Sequence, residues 1–223
     1  MSIALIKVCC IGSLTEAKTA LSLGASWLGL VSEMPSGPGV ISLERIADIV
    51  AGLPRKTKTV LLTSKLSCDE ILAQHSVAKT WGIQLVDMLP ESELKKLRKS
   101  LPETHLIQVV HVADLSSISQ ALSYAGQVDY ILLDSGKPDA SIKTLGGTGL
   151  THDWDLSRQI CEESLIPVFL AGGLNHENIS EAISKVHPHG FDLCSGVRTD
   201  GNLDDVKLKK FMDIALRNDG GEK

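Results

Sequence analysis

Residues 6–31 read IKVCCIGSLTEAKTALSLGASWLGLV. A short apolar run ends on the paired Cys9 and Cys10 and breaks at Gly12-Ser13. A helical pattern follows over 14–23, Gly24 closes it, and a second apolar run fills 27–31. Strand, helix and strand in so short a span make a βαβ unit, whose crossover sets the two strands parallel.

The same alternation continues to the far end of the chain. Strands are expected at 3–9, 27–31, 57–63, 83–86, 105–111, 128–134, 167–170 and 191–194. Helices are expected at 14–23, 43–52, 68–79, 92–100, 115–125, 153–164, 175–186 and 203–217. Asp114, two residues before Ser116, and Asn175, followed by Glu177, supply helix starts, while Gly24, Gly126 and Gly190 mark exits. Eight pairs in 223 residues leave no room for a second domain, so one α/β domain is expected over 1–218 with a short polar tail at 219–223. A parallel sheet closed into a single (β/α)8 TIM barrel satisfies the pattern. An open doubly wound sheet uses the same units and is the alternative.

Composition narrows the function classes. A formal charge of -5 with no basic stripe argues against a nucleic-acid partner. No apolar run is long enough to span a bilayer and no secretory segment opens the chain, so a cytoplasmic protein away from membranes is expected. Monomer and homodimer are equally compatible with the sequence. The five cysteines are odd in number and show no C-x-x-C spacing, so reduced thiols are expected rather than a disulfide framework or a metal site.

Side chains alternate along a strand, so Cys9 shares a face with Leu5 and Lys7, and Cys10 with Ile6 and Val8. The face that carries lysine suits the barrel interior, where an unpaired ammonium would be costly; Asp192 on the neighbouring eighth strand is its expected partner. Cys9 is then the candidate reactive thiol and Cys10 a packing residue under the outer helices. Catalytic groups of barrel enzymes sit at the carboxyl ends of strands. Those ends carry Cys9, Asp134, Gly172-Gly173 and Ser195-Gly196. A thiol with a lowered pKa can serve as a base, and an aspartic acid in a partly closed pocket can serve as an acid.

Two glycine turns, LAGGLNHEN at 170–178 and CSGVRTDG at 194–201, follow strands 7 and 8. Glycines there let backbone N–H groups approach an anion closely, and this is the recurrent phosphate position of barrels. Gly172, Gly173, Ser195 and Gly196 are therefore candidate phosphate ligands. The longest loop lies between strand 6 and helix 6, and Gly146, Gly147 and Gly149 would let it fold over a ligand. Trp27 and Trp81 read as core residues, and Trp154 as packing at the start of helix 6.

These motifs, taken in order, resemble the phosphoribosylanthranilate isomerase family. The carrying residues are KVCC at 7–10, Leu132-Leu133-Asp134, GGTGLTHDW at 146–154, GGLNHEN at 172–178 and the Asp192–Val197 run. The resemblance implies a TIM barrel that performs an Amadori rearrangement of an N-(5-phosphoribosyl) amine in tryptophan biosynthesis. It implies neither metal nor cofactor, and a small phosphorylated sugar as the partner. Asp134 would be the general acid and Cys9 the general base. Gly173, Ser195 and Gly196 would hold the phosphate, with the 146–149 loop near the substrate.

The chain departs from the family pattern around the other end of the substrate. In PSGPGVIS at 35–42, Gly39 stands where the family carries the arginine that engages the anthranilate carboxylate, and glycine offers no fork. Val86-Asp87 replaces His-Gly after strand 4, Cys10 replaces a glycine, and Arg198 replaces a glutamate. Three readings follow: an anthranilate isomerase with compensating recognition by Arg198 or Lys143, an isomerase for another phosphosugar amine, or a barrel that binds a phosphometabolite without catalysis. Retention of Cys9 and Asp134 argues against the last.

Overall fold

The computed structural model describes residues 5–135 and 153–217. The glycine-rich loop with Gly146, Gly147 and Gly149, together with Lys143 and the 219–223 tail, lies outside the described residues.

The strands are short and predominantly apolar: β1 (Leu5–Val8), β2 (Trp27–Val31), β3 (Lys58–Thr63), β4 (Gly82–Leu85), β5 (His105–His111), β6 (Tyr130–Asp134), β7 (Val168–Leu170) and β8 (Gly190–Leu193). Each is hydrogen-bonded in parallel to the next, and β8 pairs back onto β1, so the sheet is a closed barrel and not an open one. The helices that alternate with them are α1 (Leu14–Ser22), α2 (Leu43–Ala51), α3 (Cys68–Ala78), α4 (Glu91–Ser100), α5 (Ser116–Ser123), α6 (Trp154–Glu163), α7 (Ile179–Val186) and α8 (Asp205–Arg217). Serine side chains start three of them: Ser13, Ser42 and Ser67 accept from the backbone N–H three residues on. None of these helices is long and apolar enough to cross a membrane.

Several boundaries differ from the sequence reading, and three of the differences shape the site. α7 starts at Ile179 because Asn175 to Asn178 close a side-chain turn first. The Asn175 N–H donates to Asn178 Oδ1 at 2.9 Å, and the Glu177 N–H to Asn175 Oδ1 at 2.8 Å. α8 starts at Asp205 because the preceding residues pair as an antiparallel ribbon, β9 (Arg198–Thr199) with β10 (Asn202–Leu203). The first strand ends at Val8, one residue before Cys9, and Cys10 then takes a left-handed conformation with φ +62°. The change of direction carries Cys10 to the inner face with Cys9, not under the helices.

Two apolar layers result. Ile6, Val8, Leu28, Leu30 and Leu61 point outward into the helices, while Trp27, Val60, Leu62, Val109 and Phe169 fill the barrel. Its amino-terminal end is plugged by aromatic rings. Trp27 lies 4.6 Å from Phe169 and 4.8 Å from Tyr130, and the Lys58 ammonium sits 4.9 Å from the Trp81 ring centre. A plug at that end leaves the opening at the carboxyl ends of the strands.

Candidate active site

At that open end a cleft, partly open to solvent, is lined by Cys9, Cys10, Asp134, Gly172, Gly173 and Ser195 among others. The expected acid, base and phosphate turns therefore share one cavity. Asp134 closes β6 and is 9% exposed; its Oδ1 accepts from the Ser135 backbone N–H at 2.7 Å, which fixes the carboxyl at the rim. Cys9 follows β1 and is 5% exposed.

Lys7, fully buried, sits in register with Asp192 across the β1–β8 seam, and its Nζ donates to Asp192 Oδ2 at 2.8 Å. The expected ion pair is present. Burial alone would depress the lysine, but the charges of Asp192 and Cys9 outweigh it and hold the ammonium protonated. Asp192 also lines the cleft, and burial raises its carboxyl against the pull of Lys7. Its Oδ1 has no hydrogen-bond partner among the described residues.

The Cys9 thiol is held below its ordinary value. A hydrogen bond from the Cys10 thiol contributes most, burial opposes it, and the Lys7 ammonium reinforces it. Cys10 is pushed strongly the other way by its hydrogen bonds with Cys194 and Cys9 and by burial. The space for this arrangement comes from Gly29 in β2. A Cβ there would stand 2.8 Å from Cys9 Sγ and 3.1 Å from Lys7 Nζ. A glycine in mid-strand costs stability, and here it admits the thiol and the ammonium.

The phosphate turns have the backbone that glycine permits. Gly172 and Gly173 have φ of +83° and +63°, and a Cβ on Gly196 would stand 2.0 Å from the Leu174 carbonyl oxygen. The β7 and β8 loops touch there, which brings Gly173 and Ser195 to the same wall of the cleft. The Asn178 Nδ2 donates to the Gly173 carbonyl at 2.9 Å, which braces the turn.

Arg198 is not among the cleft-lining residues. Its guanidinium donates to the carbonyls of Cys9 at 3.1 Å, Cys10 at 2.5 Å and Gly201 at 2.9 Å, and pairs with Glu16 at 3.2 Å. It clamps the backbone behind the thiols, so the sequence expectation of Arg198 as a substrate-loop residue has no support in this position. Sequence reasoning passed over Gln84 on β4. It is 4% exposed and lines the cleft, and its Oε1 has no hydrogen-bond partner among the described residues. A glutamine pointing inward from a strand was the available signal. Among the described residues no group of three His, Cys, Asp or Glu side chains is arranged to hold a metal ion.

The family model described as N-(5'phosphoribosyl)anthranilate (PRA) isomerase matches residues 6–214. A relative of that name from Methanosarcina acetivorans is 35% identical, the match covering 93% of this chain and 91% of the relative. The crystal structure of phosphoribosyl anthranilate isomerase from Thermotoga maritima superposes with a TM-score of 0.82 at 29% identity, over 95% of this chain and 98% of that one. Another solved phosphoribosyl anthranilate isomerase holds reduced 1-(o-carboxyphenylamino)-1-deoxyribulose 5-phosphate; it is 27% identical, with a TM-score of 0.79 over 95% of this chain and 98% of that one. With the family model spanning nearly all of the described barrel, the chain belongs to the N-(5'-phosphoribosyl)anthranilate isomerase family.

Proposed function

We propose that the chain catalyses the Amadori rearrangement of N-(5'-phosphoribosyl)anthranilate to the corresponding aminoketose phosphate, a step of tryptophan biosynthesis. The observation that carries this reading is that Cys9 and Asp134 line one cleft together with Gly172, Gly173 and Ser195. In the first step Asp134 gives its proton to the furanose ring oxygen, the C1–O bond breaks, and the nitrogen lone pair forms the iminium. In the second, the Cys9 thiolate takes the proton from C2, and the C2–H electrons neutralise the iminium to give the enolamine. Tautomerisation of the enolamine gives the ketose. Each proton transfer contributes roughly 10²–10⁴-fold in rate. Gly172, Gly173, Ser195 and Gly196 hold the phosphate, so the sugar carbon to be deprotonated is presented to the thiol.

Gly39 favours a second reading, an N-phosphoribosyl amine without the carboxylate. Its φ is +77°, and a Cβ there would stand 2.5 Å from the Cys10 Cβ, so no arginine could occupy this position without moving the loop. Among the described lining residues none is a lysine or arginine. Purified protein mixed with phosphoribosylanthranilate, beside Asp134→Asn and Cys9→Ala, tests both readings. Turnover lost in both variants supports the first. No turnover by the folded parent, with turnover of a phosphoribosyl amine that lacks the carboxylate, selects the second.

A further inference from the structure

The mechanism uses Cys9 as its base and gives two other thiols at the mouth of the cleft no chemical step of their own. Cys10 follows β1 and Cys194 follows β8, and their sulfurs stand 2.8 Å apart across the seam of the barrel. Both are free thiols and both line the cleft. A disulfide has a sulfur–sulfur distance of about 2.05 Å, so closure asks for a movement of less than roughly 1 Å.

The main chain is shaped around this pair. Cys10 holds φ +62°, a conformation that glycine adopts at little cost and a residue with a Cβ does not. Cys194 has φ -134° and ψ -93°, outside both the helical and the extended regions. Gly39 lacks the Cβ that would meet Cys10, and the Arg198 guanidinium grips the Cys10 carbonyl from behind. The remaining thiols are placed differently: Cys68 and Cys161 lie on helices away from the cleft, and burial pushes Cys161 up to about 12.

We propose that Cys10 and Cys194 are an oxidation site, closed into a disulfide by a peroxide and reopened by a thiol reductant, and that closure switches off the adjoining site. The Cys194 thiolate attacks the peroxide, the O–O bond breaks, and a Cys194 sulfenic acid and hydroxide result. The second sulfur displaces the sulfenic oxygen, the S–S bond forms, and the two thiol protons leave with the oxygens as two waters. Two electrons pass from sulfur to peroxide. A reversible, non-structural disulfide of this kind suits a reducing compartment.

Closure consumes the Cys10 thiol beside Cys9 and pins the residue before Ser195. The base and the phosphate turn are both affected. This functional consequence rests on the reading of Cys9 as the base; the disulfide itself does not.

The full reduced chain is treated with hydrogen peroxide, remaining thiols are alkylated, and the digest is analysed by mass. The expected product is two hydrogens lighter and links the Cys10 and Cys194 peptides. Cys9→Ser still forms it, whereas Cys10→Ser and Cys194→Ser do not. In parallel, turnover of phosphoribosylanthranilate falls at least about tenfold on oxidation, from a base worth roughly 10²–10⁴-fold, and returns with dithiothreitol. Thiols that all remain alkylatable, or a link that uses Cys9, overturn the site. A Cys10–Cys194 link with unchanged turnover overturns the switch. If the reduced protein does not turn over this substrate, the proposed reaction fails while the mass measurement still decides the oxidation site.

Discussion

Cys9 suits its proposed role as a base because its neighbours depart from an ordinary strand end. The groups that face it are Cys10, Lys7 and Asp192, and the first two favour the thiolate while Asp192 and burial oppose it. Because the thiol is lowered, the rise of kcat/KM with pH has its midpoint below 9.0. Cys10→Ala removes the leading contribution and moves that midpoint upward, which a pH–rate profile of the two proteins checks; an unmoved midpoint removes Cys10 from the account. Gly29→Ala acts on the same thiol by volume. A Cβ 2.8 Å from Cys9 Sγ has to displace it, at a cost of about 1–3 kcal/mol in urea unfolding and with a larger loss in kcat than in KM. Cys9 and Asp134 were legible in the sequence because strand alternation and strand ends are local properties. Cys10 was not, because its placement depends on one left-handed residue after a strand shorter than its apolar run suggests.

Between elements, the junction of β1, α1 and the β9–β10 ribbon is held by one half-buried pair. Glu16 Oε2 accepts from the Gly12 N–H and Oε1 from the Leu203 N–H, both at 2.8 Å, and Oε1 also meets Arg198. Arg198→Met keeps the apolar stem and loses the guanidinium, leaving the Cys9 and Cys10 carbonyls without it. It is expected to cost about 2–3 kcal/mol in urea unfolding. A base shifted by ~1 Å also loses up to ~10²-fold in kcat, with KM nearly unchanged. Unchanged kcat in a destabilised variant would make the clamp purely structural. Burial disfavours the Glu16 charge, but the two N–H groups and Arg198 prevail and hold the carboxyl below 4.5. A depressed folded value adds stability that is complete above the unfolded value and is lost as pH falls through the folded one. The parent therefore exceeds Glu16→Gln in stability at pH 7, and the gap narrows from pH 4.5 downward. A gap that holds constant into acid would mean that the charge is not what stabilises. The break at Gly12-Ser13 before a helical pattern made the start of α1 readable. The ribbon was unreadable, since two-residue strands carry no periodicity and its contacts with Glu16 come from residues far away in sequence.

At the scale of the whole barrel, closure joins the first strand to the last, and the Lys7–Asp192 pair lies on that seam. The eightfold alternation made the closed sheet legible, and the inward lysine made the pair legible, because a buried ammonium requires a partner. The seam also separates two roles the pair could have. Lys7→Met leaves Asp192 buried without its counter-charge, and is expected to cost about 3–5 kcal/mol in urea unfolding. The double variant Lys7→Met with Asp192→Leu replaces the pair by apolar side chains of similar bulk and recovers most of that loss, since desolvation of both charges no longer has to be offset. Turnover does not recover with it. Cys9 loses the ammonium that favours its thiolate, so the rising limb of kcat/KM lies at higher pH in the double variant than in the parent. Stability regained with activity at neutral pH would show that the pair only closes the barrel. Stability regained without activity separates closing the seam, which apolar packing can do, from charging the base, which requires Lys7.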